Sequence, residues 1–281
     1  MRDLDLSRPA GGRLHAYDTG ATGRADELVV FWHSGSPGTG EPPVPLEDAA
    51  REAGVRFIGA DRPGYGGTTR DETASIADVV PDVLAVADAL GVERFAVLGH
   101  SGGGPRALAC AALAPGRVLA AVVVSSPAPP DAEGLDRWTG MAPGVVQEQL
   151  AVAAGREALE AVLAADEFDE SSFTTGDHAA LEGPWGWFGT VVQAATAHGT
   201  EAFADDLLAA GRPWGFDLAA ITVPVLVVHG TADRMVPVQH GEWLVAHVPG
   251  AQGVVVPESG HIDVMVHGPA LLPALRSAAR A

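Results

Sequence analysis

The sequence predicts an α/β fold: a doubly wound, mostly parallel sheet, interrupted in its second half by an inserted helical segment. Three observations carry this. Short β-branched runs alternate with helical patterns at both ends of the chain, the alternation that builds parallel strands joined by helical crossovers. Between roughly Pro127 and Phe216 the alternation stops and no strand-like run occurs. Finally, the stretch Gly99-His100-Ser101-Gly102-Gly103 separates a strand-like run at 94–98 from a helix-like run at 105–114.

The elements follow in order. Residues 13–19 and 28–32 read as early strands, and 55–60 as the strand feeding the turn at Asp61. Residues 76–90 carry an apolar stripe of Val79, Val80, Val83, Leu84, Val86, Ala87 and Leu90, with Gly91 as the stop. Pro81 falls in the first turns, where proline is tolerated. Further strand-like runs lie at 119–124, 223–228 and 254–256, and helix-like stretches at 145–154, 156–164, 189–197 and 201–210. The expected organisation is a core of residues 1–127 and 217–281 with a helical cap at 128–216.

Composition bounds the possibilities. A chain of 281 residues, 47% of them hydrophobic, buries a substantial core and suits one α/β domain with an insertion. The net charge of −19 arises from 36 acids against 17 arginines, with no lysine, so a phosphate backbone is repelled and nucleic acid is not an expected partner. The first residues, Met1 to Leu6, hold no apolar stretch, and no apolar run approaches the length of a membrane span. A cytoplasmic location is therefore expected. The single cysteine, Cys110, excludes an internal disulfide and reads as a packing residue of the helix after Ser101.

A serine between glycines at a strand-to-helix turn is held with its hydroxyl proud of the sheet edge, because the turn leaves almost no room for neighbouring side chains. A hydroxyl attacks poorly near neutrality unless an imidazole takes its proton and a carboxylate holds that imidazole. Asp233 follows the strand-like run at 223–228 and His261 the run at 254–256, which puts Ser101, Asp233 and His261 in a productive chain order. Among the ten histidines, His100 reads as packing, and His33 and His229 as strand-end residues. His198, His240, His247 and His267 read as solvated. Asp131 is a fallback acid, and Asp263 is expected to face away. No His/Cys/carboxylate cluster has ligand spacing, so neither a metal nor a cofactor is expected.

Together these residues resemble the α/β-hydrolase superfamily, and more closely its capped members. Trp32-His33-Ser34-Gly35-Ser36-Pro37-Gly38 is similar to the segment after that family's third strand. Asp61-Arg62-Pro63-Gly64-Tyr65-Gly66-Gly67 is similar to its next turn, and Gly230-Thr231-Ala232-Asp233-Arg234-Met235-Val236-Pro237 to its acid loop. The resemblance implies an oxyanion hole formed by the N–H of Gly102 and that of Ser36 or Gly35. Ser34 either offers its hydroxyl to substrate or simply forms the turn, and His100 is placed with the substrate-binding residues.

The 128–216 segment holds nine aromatics, Trp138, Phe168, Phe173, Trp185, Trp187, Phe188, Phe203, Trp214 and Phe216, and Trp185, Trp187 and Phe188 are the candidates to roof the pocket. Its acids outnumber Arg137, Arg156 and Arg212 and are expected to form mostly a solvated face. The implied activity is hydrolysis of a neutral, fairly apolar ester or lactone through an acyl-enzyme. The alternatives are an amidase or aminopeptidase with Glu182 binding an amine, a carbon–carbon bond hydrolase with the same triad, or a low-turnover small-molecule-binding protein. The expected partner is a small-molecule substrate, and a homodimer is left open.

Overall fold

The computed structural model describes residues 1–165 and 169–280, so Phe168 lies outside the described residues. Eight strands form one sheet: β1 (Arg2–Ser7), β2 (Arg13–Asp18), β3 (Leu28–His33), β4 (Val55–Ala60), β5 (Phe95–His100), β6 (Val118–Val124), β7 (Val225–Gly230) and β8 (Gln252–Val256), in the spatial order β1-β2-β4-β3-β5-β6-β7-β8. From β4 to β8 every neighbouring pair is parallel, whereas β2 joins β4 and β1 joins β2 antiparallel.

Strand β1 escapes the sequence reading because it alternates Arg2, Asp3 and Asp5 with half-buried Leu4 and Leu6 at the sheet edge. The strand-like run at 254–256 falls in β8, the opposite edge, which leaves Val254 and Val255 nearly half exposed.

The central strands bury both faces, as parallel strands between helices must. Phe31, Phe95, Val97 and Val123 point to one face, against helices α2 (Val79–Ala89), α3 (Gly104–Leu113) and α9 (Gln239–His247). Trp32, Ala96, Leu98 and Val122 point to the other, against α1 (Glu47–Ala53) and α10 (Gly268–Ala278). Between β6 and β7 come α4 (Pro143–Ala154), α5 (Arg156–Ala165), α6 (Thr175–Glu182), α7 (Trp187–Thr196) and α8 (Glu201–Ala210). No helix of the described residues is long and apolar enough to cross a membrane.

Candidate active site

Strand register brings the chemistry together. His33 of β3 pairs beside Gly99 of β5, so the loops that leave these strands run side by side. Gly230 of β7 pairs beside Val256 of β8, and the loops carrying Asp233 and His261 are likewise neighbours. All four loops leave the carboxyl ends of parallel strands, where open α/β sheets place their sites.

Ser101 sits on the sharp turn from β5 into α3 with φ of 52°, a left-handed conformation that costs a serine strain. The glycines around it are required by close approach: a Cβ at Gly99 would meet the Gly103 carbonyl, and one at Gly103 would strike the His33 carbonyl. Gly102 lies against Ser36, since a Cβ there would contact the Ser36 hydroxyl and lie 3.4 Å from its backbone nitrogen.

Asp233 is almost fully buried. Its Oδ1 accepts from the backbone N–H groups of Met235 (2.9 Å) and Val236 (2.8 Å), and its Oδ2 faces Nδ1 of His261 at 2.8 Å. His229 Nε2 donates to the Val236 carbonyl at 2.7 Å and lies 3.5 Å from the same Oδ2. Burial alone would raise the pKa of Asp233, but His261 and the hydrogen bonds outweigh it and hold the carboxyl well below its ordinary range. Burial would also lower that of His261, and the neighbouring Asp233 carboxylate reverses the sign, leaving the imidazole above its ordinary value.

His261 is stitched to the elbow through His100, whose Nε2 donates to the His261 carbonyl at 2.9 Å and whose ring centre lies 4.9 Å from its ring. Among the described residues no hydrogen bond links the Ser101 hydroxyl to the imidazole. In sites without substrate that contact is commonly long and tightens only in the complex.

A cavity of about 120 Å³ opens over Ser101, Gly102 and Ser36. Its walls include Val145, Glu148 and Gln149, one face of α4 at i, i+3 and i+4, together with Leu207, Ala210 and Gly211 on and just past α8. Trp138, Met141 and Trp214 supply much of the apolar lining. Two charged groups also enter: Arg137, which donates to the Pro129 carbonyl at 2.6 Å, and Glu148, whose carboxyl burial pushes up to about 7.

Several expectations need correction. Trp185, Trp187 and Phe188 do not roof this cavity; they are buried against Trp32 and His100, with Trp185 and Phe188 stacked at 5.4 Å, and so cement the insertion to the sheet. His100 packs between Phe188 and His261, and burial lowers its pKa to about 3, so it works as a neutral seam residue rather than a substrate contact. Ser34 turns inward and donates to the Gly38 carbonyl at 3.2 Å. Of the two loop candidates it is Ser36, not Gly35, that lines the cavity. His240 is buried in the cavity wall, with its Nδ1 accepting from the Ala128 N–H at 3.1 Å. Asp131 and Glu182 are exposed.

The insertion's acids also depart from a simple solvated face: Asp177, Asp205 and Asp206 are buried. Asp177, in the capping box that opens α6, accepts from the N–H groups of Ile262 (2.6 Å) and Asp263 (2.9 Å) and so grips the segment carrying His261. Asp206 meets Arg62 and Arg106. The one sequence signal was Arg106, a charge in the apolar run after the elbow that needed a counter-charge from elsewhere; Arg62 stands beside Asp61 and gave none.

A family model described as alpha/beta hydrolase fold matches residues 28–268, and the chain belongs to that family. It is 31% identical over 273 residues to a 2-hydroxy-6-oxononadienedioate/2-hydroxy-6-oxononatrienedioate hydrolase of Cupriavidus pinatubonensis, covering 89% of this chain and 84% of that one. It is also 31% identical over 225 residues to a non-heme chloroperoxidase of Streptomyces lividans, covering 76% and 78%. Among solved structures it resembles the bromoperoxidase from Bacillus anthracis, with a TM-score of 0.74, 20% identity and full coverage of both chains, a likeness of fold.

Proposed function

We propose that the protein is a serine hydrolase of small carbonyl substrates, with Ser101 as nucleophile, His261 as general base and acid, and Asp233 as the group that orients the imidazole. One observation carries this reading: a strained serine on a glycine-walled elbow opens into a cavity beside a buried, hydrogen-bonded histidine–aspartate pair. In this reading His261 takes the proton as the Ser101 oxygen attacks the carbonyl carbon. The N–H groups of Gly102 and Ser36 receive the oxyanion, and water activated by the same imidazole releases the acid. The helices between β6 and β7 act as a cap over the cavity.

The apolar lining and small volume support a short-chain ester or lactone as substrate. A second reading, hydrolysis of a carbon–carbon bond in a substrate with a carboxylate tail, is favoured by Arg137, a cation in the cavity wall with no carboxylate within ion-pair distance among the described residues. It is favoured too by the similarity to a hydrolase whose name specifies a dioate.

A fluorophosphonate probe is expected to label Ser101 in folded protein, and Ser101→Ala to abolish both labelling and turnover of p-nitrophenyl butyrate. Turnover retained in that variant would move the chemistry elsewhere. Comparing kcat/KM on p-nitrophenyl butyrate with that on a 2-hydroxy-6-oxo-dienoate decides between the two substrate readings.

A further inference from the structure

The most heavily bonded carboxylate among the described residues outside the Ser101, His261 and Asp233 constellation is that of Asp206, on the buried side of α8. Arg62 donates to it through Nε (3.0 Å) and Nη2 (2.8 Å), Arg106 through Nη2, the Ser36 hydroxyl directly, and the Tyr65 hydroxyl at 3.3 Å. All five residues are buried except Ser36, which faces the cavity. The same two guanidiniums reach the backbone around the elbow. Arg62 donates from Nη1 to the Ser34 carbonyl and from Nη2 to the Gly35 carbonyl, both at 2.8 Å, and Arg106 donates from Nη1 to the Gly102 carbonyl.

The consequence follows from the planarity of the peptide bond. The Gly35–Ser36 peptide is trans, so its C=O and N–H point in opposite directions. An arginine that holds the Gly35 oxygen from behind therefore fixes the direction of the Ser36 N–H in front. Asp206 fixes the arginine in turn and grips the Ser36 side chain as well. Because two guanidiniums share one carboxylate, the cluster also keeps a net positive charge behind the site where negative charge would develop.

We propose that Asp206 is a positioning residue for the reaction: from the helical insertion it clasps Ser36 and Arg62 and thereby aims the Ser36 amide into the cavity over Ser101. Seating α8 and completing the oxyanion donors are then a single event. The proposal rests on the serine hydrolase reading above, in which that amide is an oxyanion donor.

Asp205, the adjacent residue, supplies the control. It binds Arg70 (2.6 Å) and Arg156 (2.6 Å) and so ties α8 to its surroundings without touching the loop that carries Ser36. In Asp206→Asn, kcat for p-nitrophenyl butyrate should fall about 100-fold with KM changed less than about 3-fold, the scale of a lost oxyanion donor. The affinity for an alkyl boronic acid, which mimics the tetrahedral state, should fall by a similar factor, while butyrate binding stays nearly constant. Asp205→Asn should leave kcat within about 2-fold even where it lowers the melting temperature. Ser36→Ala, which removes the hydroxyl's bonds to Asp206 and Arg62 but leaves the two charges in place, should lose roughly 10-fold and serves if Asp206→Asn does not fold.

An Asp206→Asn variant with kcat within about 3-fold of wild type, or one matched in its loss by Asp205→Asn, overturns the proposal. So does an unchanged kcat in Ser36→Ala where Asp206→Asn is not recovered folded. A wild-type protein inert to ester and fluorophosphonate alike overturns the hydrolase reading itself and the proposal with it, an outcome distinct from an active wild type with unaltered variants.

Discussion

Asp233 and Asp206 are two buried carboxylates of one site, built in opposite ways. Asp233 is held by backbone amides of its own loop and turned toward the imidazole of His261, a group that gains and gives up a proton in the proposed reaction. Asp206 arrives on a helix of the insertion and meets guanidiniums, which are charged throughout. Burial disfavours the charged form of both, and in both the partners win; that of Asp206 falls to about 2. The difference teaches what each is suited to. A carboxylate facing an imidazole supports charge that appears during a reaction, whereas one facing two arginines neutralises charge that is always present and so holds structure still.

The contrast is broken most directly at Asp233. Asp233→Asn keeps the shape of the side chain but not its charge, and the imidazole loses the partner that fixes its tautomer, so kcat is expected to drop about 10⁴-fold. The pH profile sharpens the point. In the proposed mechanism His261 serves as a base only when deprotonated, and its pKa is raised above the ordinary 6.5, so wild-type kcat/KM should climb with pH through a midpoint above 6.5. In Asp233→Asn the midpoint of the residual activity should move to lower pH. An unmoved midpoint would mean that another group controls the profile.

At Asp206 the larger effect is on stability. Leaving two buried guanidiniums without their counter-charge should cost about 3–5 kcal/mol in urea unfolding at neutral pH. The folded-state pKa of about 2 lies below the ordinary 3.8, so the contribution is present above pH 3.8 and is lost as the pH falls toward 2. The wild-type curve of stability against pH should steepen in that window, and Asp206→Asn should flatten it. A parallel pair of curves would show that Asp206 carries no such linkage.

The insertion's aromatics extend the comparison. Trp187→Ala empties a buried site between Trp32 and Phe188 and should also cost about 3–5 kcal/mol, yet leave kcat per folded molecule nearly unchanged, because Trp187 does not line the cavity. A large loss of kcat at unchanged stability would return it to the pocket. The smallest effect is expected at Glu148. Burial raises its carboxyl to about 7, so at pH 6 it is mostly protonated and Glu148→Gln should change kcat/KM for a neutral ester by less than about 2-fold. At pH 8, where the wild-type group is charged, the variant should be the faster of the two. Identical ratios at both pH values would show that Glu148 does not titrate in the cavity.

The elbow and the loops after β7 and β8 were legible in the sequence for a local reason. A turn that cannot hold a Cβ demands glycine at fixed offsets, and strand ends are marked where β-branched runs stop. The bounds of α8 were read equally well. Its buried acids were not, because the partners of Asp206 lie 144 and 100 residues away in the chain and nothing local pairs with them. Trp185, Trp187 and Phe188 were recognisable as residues that must be buried, but hydrophobicity has no direction. It does not distinguish the wall of a cavity from the cement beneath it.

The sequence by itself thus determined the class of sheet, the place of the elbow and the order of hydroxyl, carboxylate and imidazole along the chain, since each follows from backbone sterics or from periodicity over a few residues. Only the tertiary structure decided which face of α4 and α8 looks into the cavity, which acids are buried and which arginines they meet. Those outcomes depend on the relative placement of segments far apart in the chain, and that placement is set by how the whole core packs.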